Sequence, residues 1–254
     1  TGGWWSGSIL SYNLKYKRFG ESSILVEWPS IIHESILENI LLFKSEIENK
    51  YLNNNIYLKN SYNSLLITYE ENINPKSKIS ELKNIYIKIG STQKKDFNKW
   101  EIPVCYDIEL GHDLNYLEKS LSIKKEEIVS LHSSKDYRVY NIGFLPGFLY
   151  LGGLDKKIHH PRKEKPVLNV PKGAVGIGGS QTGIYPNNSP GGWYIIGNSP
   201  INLFNINKTS PCFIKPGDKV KFSPISLKEH ELIKIQVESN IYKPVKTQIN
   251  DWNY

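Results

Sequence analysis

The stretch 176-GIGGSQTGIYPNNSPGGWYIIG-197 constrains this chain more than any other. Seven glycines and two prolines fall within it, yet Ile, Tyr and Trp sit between them. That apolar bulk argues against a flexible linker. A Walker loop would read GxxxxGK[ST], and none occurs. No helix pattern follows 176-GIGGS-180, so the dinucleotide fingerprint fails as well. What remains is short strands joined by tight turns, where glycine permits close backbone approach.

The surrounding sequence fits that reading. Short β-prone pieces recur at 138-RVYNIGF-144, 167-VLNV-170, 174-AVGI-177, 193-WYIIG-197 and 219-KVKFSPI-225. Gly/Pro punctuation separates them, which predicts a barrel or sandwich. Ahead of them, 100–106 reads as a strand, and 113–121 and 124–134 as short helices, with Asp113 capping the first. The first third reads β-β-α-β-β-α. Its helix over 34–50 carries Ile36, Leu37, Ile40, Leu41, Phe43 and Ile47 on one face, and Pro75 opens a second helix.

The predicted class is α+β: a small α/β domain over 9–92, a β-barrel domain over 93–225 and a C-terminal extension over 226–254. The boundary is placed in the polar run 91-STQKKDFNK-99. Residues 1–8, rich in Gly, Ser and Trp, are set aside as an appended remnant. The tail is expected to hold a short helical piece and a strand at Leu232–Val237.

Bulk properties narrow the function. A net charge of +7 over 254 residues is mild, and no basic cluster carries exposed aromatics, so nucleic-acid binding is not expected. No run is long and apolar enough to span a membrane, and no signal-peptide pattern opens the chain. The two cysteines, Cys105 and Cys212, show no CxxC spacing. They read as reduced thiols in a cytoplasmic protein, with no zinc site. There is no GxSxG elbow and no Cys–His pairing in sequence, so no catalytic residue is assigned.

The candidate binding residues sit on the glycine-rich turns. Gly178, Gly179 and Gln181 describe a nest of backbone N–H groups suited to an anion or amide, with Thr182 beside it. Tyr150, Tyr185 and Trp193 are candidate pocket walls. Arg162, in 159-HHPRKEKP-166, can grip a carboxylate or phosphate through two parallel hydrogen bonds.

The runs 137-YRVYNIGFLPGFLYLGGLD-155, 161-PRK-163, 170-VPKGAVGIGGSQTGIYP-186 and 189-SPGGWYIIGNSPINLF-204 closely resemble the 5-oxoprolinase B-subunit family, also called allophanate hydrolase subunit 1 or kinase A inhibitor. The resemblance spans most of residues 10–225. It implies a cyclophilin-like barrel, a homologous-barrel partner known as the C subunit, and a third component, the A subunit. It implies a complex that opens 5-oxoproline to glutamate using ATP, with Mg, while this chain holds no tight cofactor alone. Lys172 then joins Arg162 as a charge partner. The sequence departs from the family at Val167 and Asn169, where arginines are common, and at Ser180. Two other readings follow from related branches: a regulatory inhibitor of a sensor histidine kinase, and half of a biotin-dependent urea or amide carboxyltransferase.

Overall fold

A computed structural model describes residues 11–52, 56–89 and 96–249. The chain divides into two compact units, 1–95 and 96–254.

In the first unit β1 (Lys15–Phe19), β2 (Ser23–Glu27), β3 (Ile56–Asn60) and β4 (Ser64–Tyr69) form an antiparallel sheet of order β1-β2-β4-β3. Helices α1 (Glu34–Lys50) and α2 (Pro75–Ile87) cover it. The period of α1 explains the packing: Ile36, Ile40, Phe43 and Ile47 are fully buried against Ile24, Val26 and Ile67 of the sheet. Pro75 stands at the start of α2, and the Asn74 side chain accepts from Ser77 N. Asn39 is a polar group built into this core. Asn39 Oδ1 accepts from Trp28 Nε1 at 2.7 Å and from the Tyr86 hydroxyl at 2.8 Å.

The second unit is the barrel. Its strands are β5 (Phe97–Cys105), β6 (Asp136–Ile142), β7 (Leu149–Gly152), β9 (Ala174–Gly178), β10 (Gln181–Ile184), β12 (Tyr194–Asn198) and β13 (Lys219–Ile225). The order β12-β9-β10-β7-β6-β13-β5 closes on itself where Asn198 pairs with Cys105. Only β5 and β13 run parallel among these pairs. Alternation sends Ile102, Val104, Val139, Ile177, Val220 and Phe222 inward, all with zero exposure. Between these strands lie α3 (Leu114–Leu121), α4 (Lys125–Ser133) and a two-stranded ribbon of β8 (Val167–Val170) and β11 (Ser189–Gly191). The turn before β13 is pinned by Asp218, whose carboxylate accepts from Asn98 N, Trp100 Nε1 and Lys215 N.

Three details differ from the reading of the sequence. The strand expected from Trp100 begins at Phe97, so the end of the presumed linker belongs to β5; residues 90–95 lie outside the described residues. The strand expected at Leu232–Val237 is instead part of α5 (Leu227–Glu238). A capping box starts that helix: Ser226 Oγ accepts from Glu229 N, and Glu229 accepts from Ser226 N. Finally, within the expected extension, β14 (Val245–Ile249) pairs with residues 97–101 of β5 and extends the barrel sheet. The expected remnant at 1–8 lies outside the described residues.

Candidate functional site

The glycine-rich stretch folds as a two-residue hairpin. Gly178 pairs with Gln181 across the Gly179–Ser180 turn. Gly179 has φ +67, the left-handed conformation that the first position of such a turn demands. Its N–H donates to His160 O at 2.6 Å, and its carbonyl accepts from His160 N at 3.2 Å. That donor is therefore engaged within the protein, and the expected nest does not form at Gly179.

Residues opposite one another in an antiparallel pair share a face. Gly176 pairs with Gly183 and Gly178 with Gln181, so these four line the outer face. Ile177 and Thr182 line the inner one. Trp193 lies on the glycines of the outer face. A Cβ on Gly178 would collide with the indole, one on Gly183 would meet Cζ3 at 3.1 Å, and one on Gly176 would meet the Trp193 Cβ at 3.1 Å. The indole can lie flat on the sheet because three side chains are missing.

Around Trp193 the aromatic residues gather. Phe148 packs edge-on to Trp193 at 5.4 Å between centroids and to Tyr185 at 5.2 Å. Tyr150 lies 5.0 Å from Phe148, and Tyr185 lies 6.4 Å from Trp193. Tyr185 and Trp193 are only 2% and 4% exposed. They form a packed shelf, with Tyr150 half-buried at its edge. The exposed Arg162 guanidinium lies 5.8 Å from the Trp193 ring. Burial raises the phenol pKa values of Tyr150 and Tyr185, and the Arg162 charge opposes that rise at both. Phe144, 64% exposed and edge-on to Phe148, holds φ +62. A bulky residue held there costs about 1–2 kcal/mol, and such strain concentrates at functional sites.

Thus Gly178, Gln181, Tyr150, Tyr185, Trp193 and Arg162 belong to one outer surface. Thr182 does not. It is fully buried, donates Oγ1–H to Gly176 O at 2.9 Å and contacts His132 Nε2 at 2.8 Å. An even position beside an odd one on a strand must face the other way. Lys172 also stands apart: it edges a hollow shared with Asn198 and His230, and none of the shelf aromatics lines that hollow.

Two constellations carried no local signal in the sequence. Tyr194 turns opposite to Trp193 and stacks on Tyr116 of α3 at 5.0 Å and 7°. Below this pair, Lys163 Nζ meets Asp113 Oδ2 at 2.7 Å, and Asp113 also accepts from Ile195 N. Asp113 precedes α3 as expected, yet its side chain makes no capping bond, because it ties α3 to β12 and to residue 163 instead. The second constellation is His132, whose partners come from β10 and from Tyr106.

The exposed Arg162 guanidinium, at the buried indole and near the half-buried Tyr150 phenol, is a donor suited to a planar carboxylate or amide oxygen. Cys105 is buried and Cys212 half-buried; burial raises both thiols, so neither is an activated nucleophile. Among the described residues, no cluster of three His, Cys, Asp or Glu side chains is placed to hold a metal ion. No described helix is long and apolar enough to cross a membrane.

A closed barrel joined to a small α/β unit, with the glycine-floored aromatic shelf, defines the class. The chain belongs to the family of carboxyltransferase domains, subdomains C and D, whose model matches residues 14–214. Among its curated relatives is the 5-oxoprolinase B subunit of Bacillus subtilis, 46% identical over 134 residues. That match takes in 53% of this chain and 56% of the relative, so the chain spans about half the length of the curated relatives it matches. The resemblance read from the motifs is supported by further relatives of the same name. A conserved uncharacterized protein from Pyrococcus horikoshii is 39% identical, with TM-score 0.51, over 85% of this chain and all of that one. Kluyveromyces lactis urea carboxylase shares the fold, with TM-score 0.79 over 95% of this chain and 24% of that one, at 20% identity.

Proposed function

We propose that this chain is the B subunit of an ATP-dependent 5-oxoprolinase, acting with the C and A subunits. The observation that carries the reading is the shared name of the curated relatives, 46–50% identical to this chain. The chemistry is coherent. Phosphorylation of the lactam oxygen by ATP turns an unreactive amide carbon into an electrophile. Addition of water there opens the C–N bond to a γ-glutamyl phosphate, and a second water releases phosphate. In this proposal Arg162 holds the substrate carboxylate, Gln181 faces the amide, and Tyr150, Tyr185 and Trp193 form a rigid wall. The C subunit, with ATP and Mg, completes the site, and the strained, exposed Phe144 is a contact for it.

The test is reconstitution with the C and A subunits, measuring glutamate release from 5-oxoproline. Release is expected only with ATP, and without biotin. Arg162→Ala is expected to lower kcat/KM by about tenfold or more, the loss of a charge-assisted pair of about 1.5–3 kcal/mol. Turnover untouched by Arg162→Ala would remove the site assignment. Carboxylation of urea that requires biotin would replace the whole reading with that of a carboxyltransferase half.

A further inference from the structure

The hollow that claimed Lys172 lies between the end of β12 and α5. It has a volume of about 380 Å³, in the range of small-molecule sites. Its walls include Lys172, Asn198, Ser199, His230, Lys234 and Glu238. Two lysines thus face one carboxylate.

Hydrogen bonds fix this wall from behind. Lys172 N donates to Asn188 Oδ1 at 2.7 Å, and Asn198 Nδ2 donates to Lys172 O at 2.9 Å. With its amide nitrogen facing that carbonyl, Asn198 presents Oδ1 to His230 Nε2 at 2.9 Å. An amide oxygen only accepts, so Nε2 carries the hydrogen. Nδ1 of the neutral ring is left as the atom available to a ligand proton, or to bind an anion once protonated. Burial lowers the His230 pKa, Lys234 lowers it further and Glu231 opposes them.

Ser199 belongs to the same wall. It is 2% exposed, and its hydroxyl has no hydrogen-bond partner. A buried, unpaired hydroxyl costs stability and is rare in folded proteins. Its backbone is held rigidly, with Ser199 N bonded to Gly173 O at 2.8 Å. Gly173, at φ +82, leaves no room for a side chain beside the Ser199 carbonyl. Ser199 lines the hollow, while its hydroxyl lies beneath that wall, out of contact with solvent.

We propose that this hollow is a binding site for a small oxyanion, a carboxylate or phosphoryl group, held by Lys172, Lys234 and His230. It is separate from the Trp193 shelf and does not rest on the oxoprolinase reading. It assigns Lys172 to an anion as the sequence did, but in a different place and without Arg162.

The test is titration of the full chain with sulfate and, separately, with glutarate, at ionic strength held constant with chloride. Heat and the His230 ring resonances are followed together. Saturable one-to-one binding at millimolar or lower concentration is expected for at least one probe. Sulfate alone points to a phosphoryl ligand, and glutarate alone to a carboxylate. Lys172→Ala with Lys234→Glu, both at exposed positions, should weaken binding by about tenfold or more. Ser199→Ala should leave binding unchanged, because that hydroxyl is buried away from the hollow. Binding should tighten from pH 8 to pH 6 and lose that dependence in His230→Gln. Lys172, Lys234, Glu231 and Glu238 are the other charged groups near the ring. No saturation by either probe, or saturation indifferent to Lys172→Ala with Lys234→Glu, overturns the proposal.

Discussion

Gly178→Ala is expected to destabilise the barrel unit by about 2 kcal/mol, an overpacking cost, and to lower its melting temperature by roughly 4–8 °C. The backbone itself would accept alanine, because Gly178 is not among the residues with positive φ. The cost arises from the indole of Trp193, which a Cβ at this position would strike at Cγ, Cδ1 and Nε1. That ring cannot retreat freely, since Phe148, Tyr150 and Tyr185 border it. A double-mutant cycle isolates the cause. Trp193→Ala alone should cost about 3–5 kcal/mol through the cavity it leaves. On that background Gly178→Ala should be near neutral or mildly stabilising, as expected where only the unfolded chain loses freedom. Equal costs on both backgrounds, read from urea unfolding, would show that the glycine serves something other than the ring.

That cycle also shows what could be read in the sequence and what could not. The glycine run announced tight turns and close approach, and both are present. It did not announce that the approaching group is a side chain of the same protein, fifteen residues beyond Gly178. The helices α1 and α2 and most strands were legible because each is long enough to show a period. β7, β10 and β11 were not, since each has only three or four residues and includes glycine. Their status depends on partners distant in sequence. The same limit decided the site. Gln181 and Thr182 look alike as polar neighbours of a glycine turn, and only the register of Gly178 opposite Gln181 separates outer from inner. Lys172 and Arg162 sit ten residues apart around a short strand, and nothing local says that one lies at the Trp193 ring and the other at a separate hollow. In the tail, the β-prone run at 232–237 suggests a strand, but the Ser226–Glu229 capping box upstream commits the whole segment to a helix.

Thr182 is more informative as a core residue than it would have been as a ligand. Its Oγ1 donates to Gly176 O, so toward His132 it accepts, and His132 carries its hydrogen on Nε2. Nδ1 then accepts from the Tyr106 hydroxyl at 2.7 Å. Every polar atom of this buried ring is satisfied only while it is neutral. His132 is wholly buried and stacked 4.5 Å from Phe222, and burial lowers its pKa to about 3. The unfolded chain holds histidine near 6.5. Between these values the unfolded state binds the extra proton, so this contribution to stability is whole above pH 6.5 and falls as pH drops toward 3. The loss amounts to roughly 2 kcal/mol by pH 5 and roughly 4 kcal/mol by pH 3. The window from pH 7 to pH 5 belongs to histidine, because the lowered carboxylates Glu81, Asp155 and Glu229 act only near and below the ordinary carboxylate range. His230 adds a contribution of the same sign. Urea unfolding of the barrel unit in the full chain at pH 7, 6 and 5 should show this fall. His132→Gln should be less stable at pH 7 and should lose most of the slope, which a purely steric role for the ring would not change. Thr182→Val should keep the slope and lower the whole curve by about 1–3 kcal/mol, the cost of a buried Nε2–H left without its acceptor. A wild-type curve flat from pH 7 to pH 5 would mean that His132 is not held neutral in the barrel core.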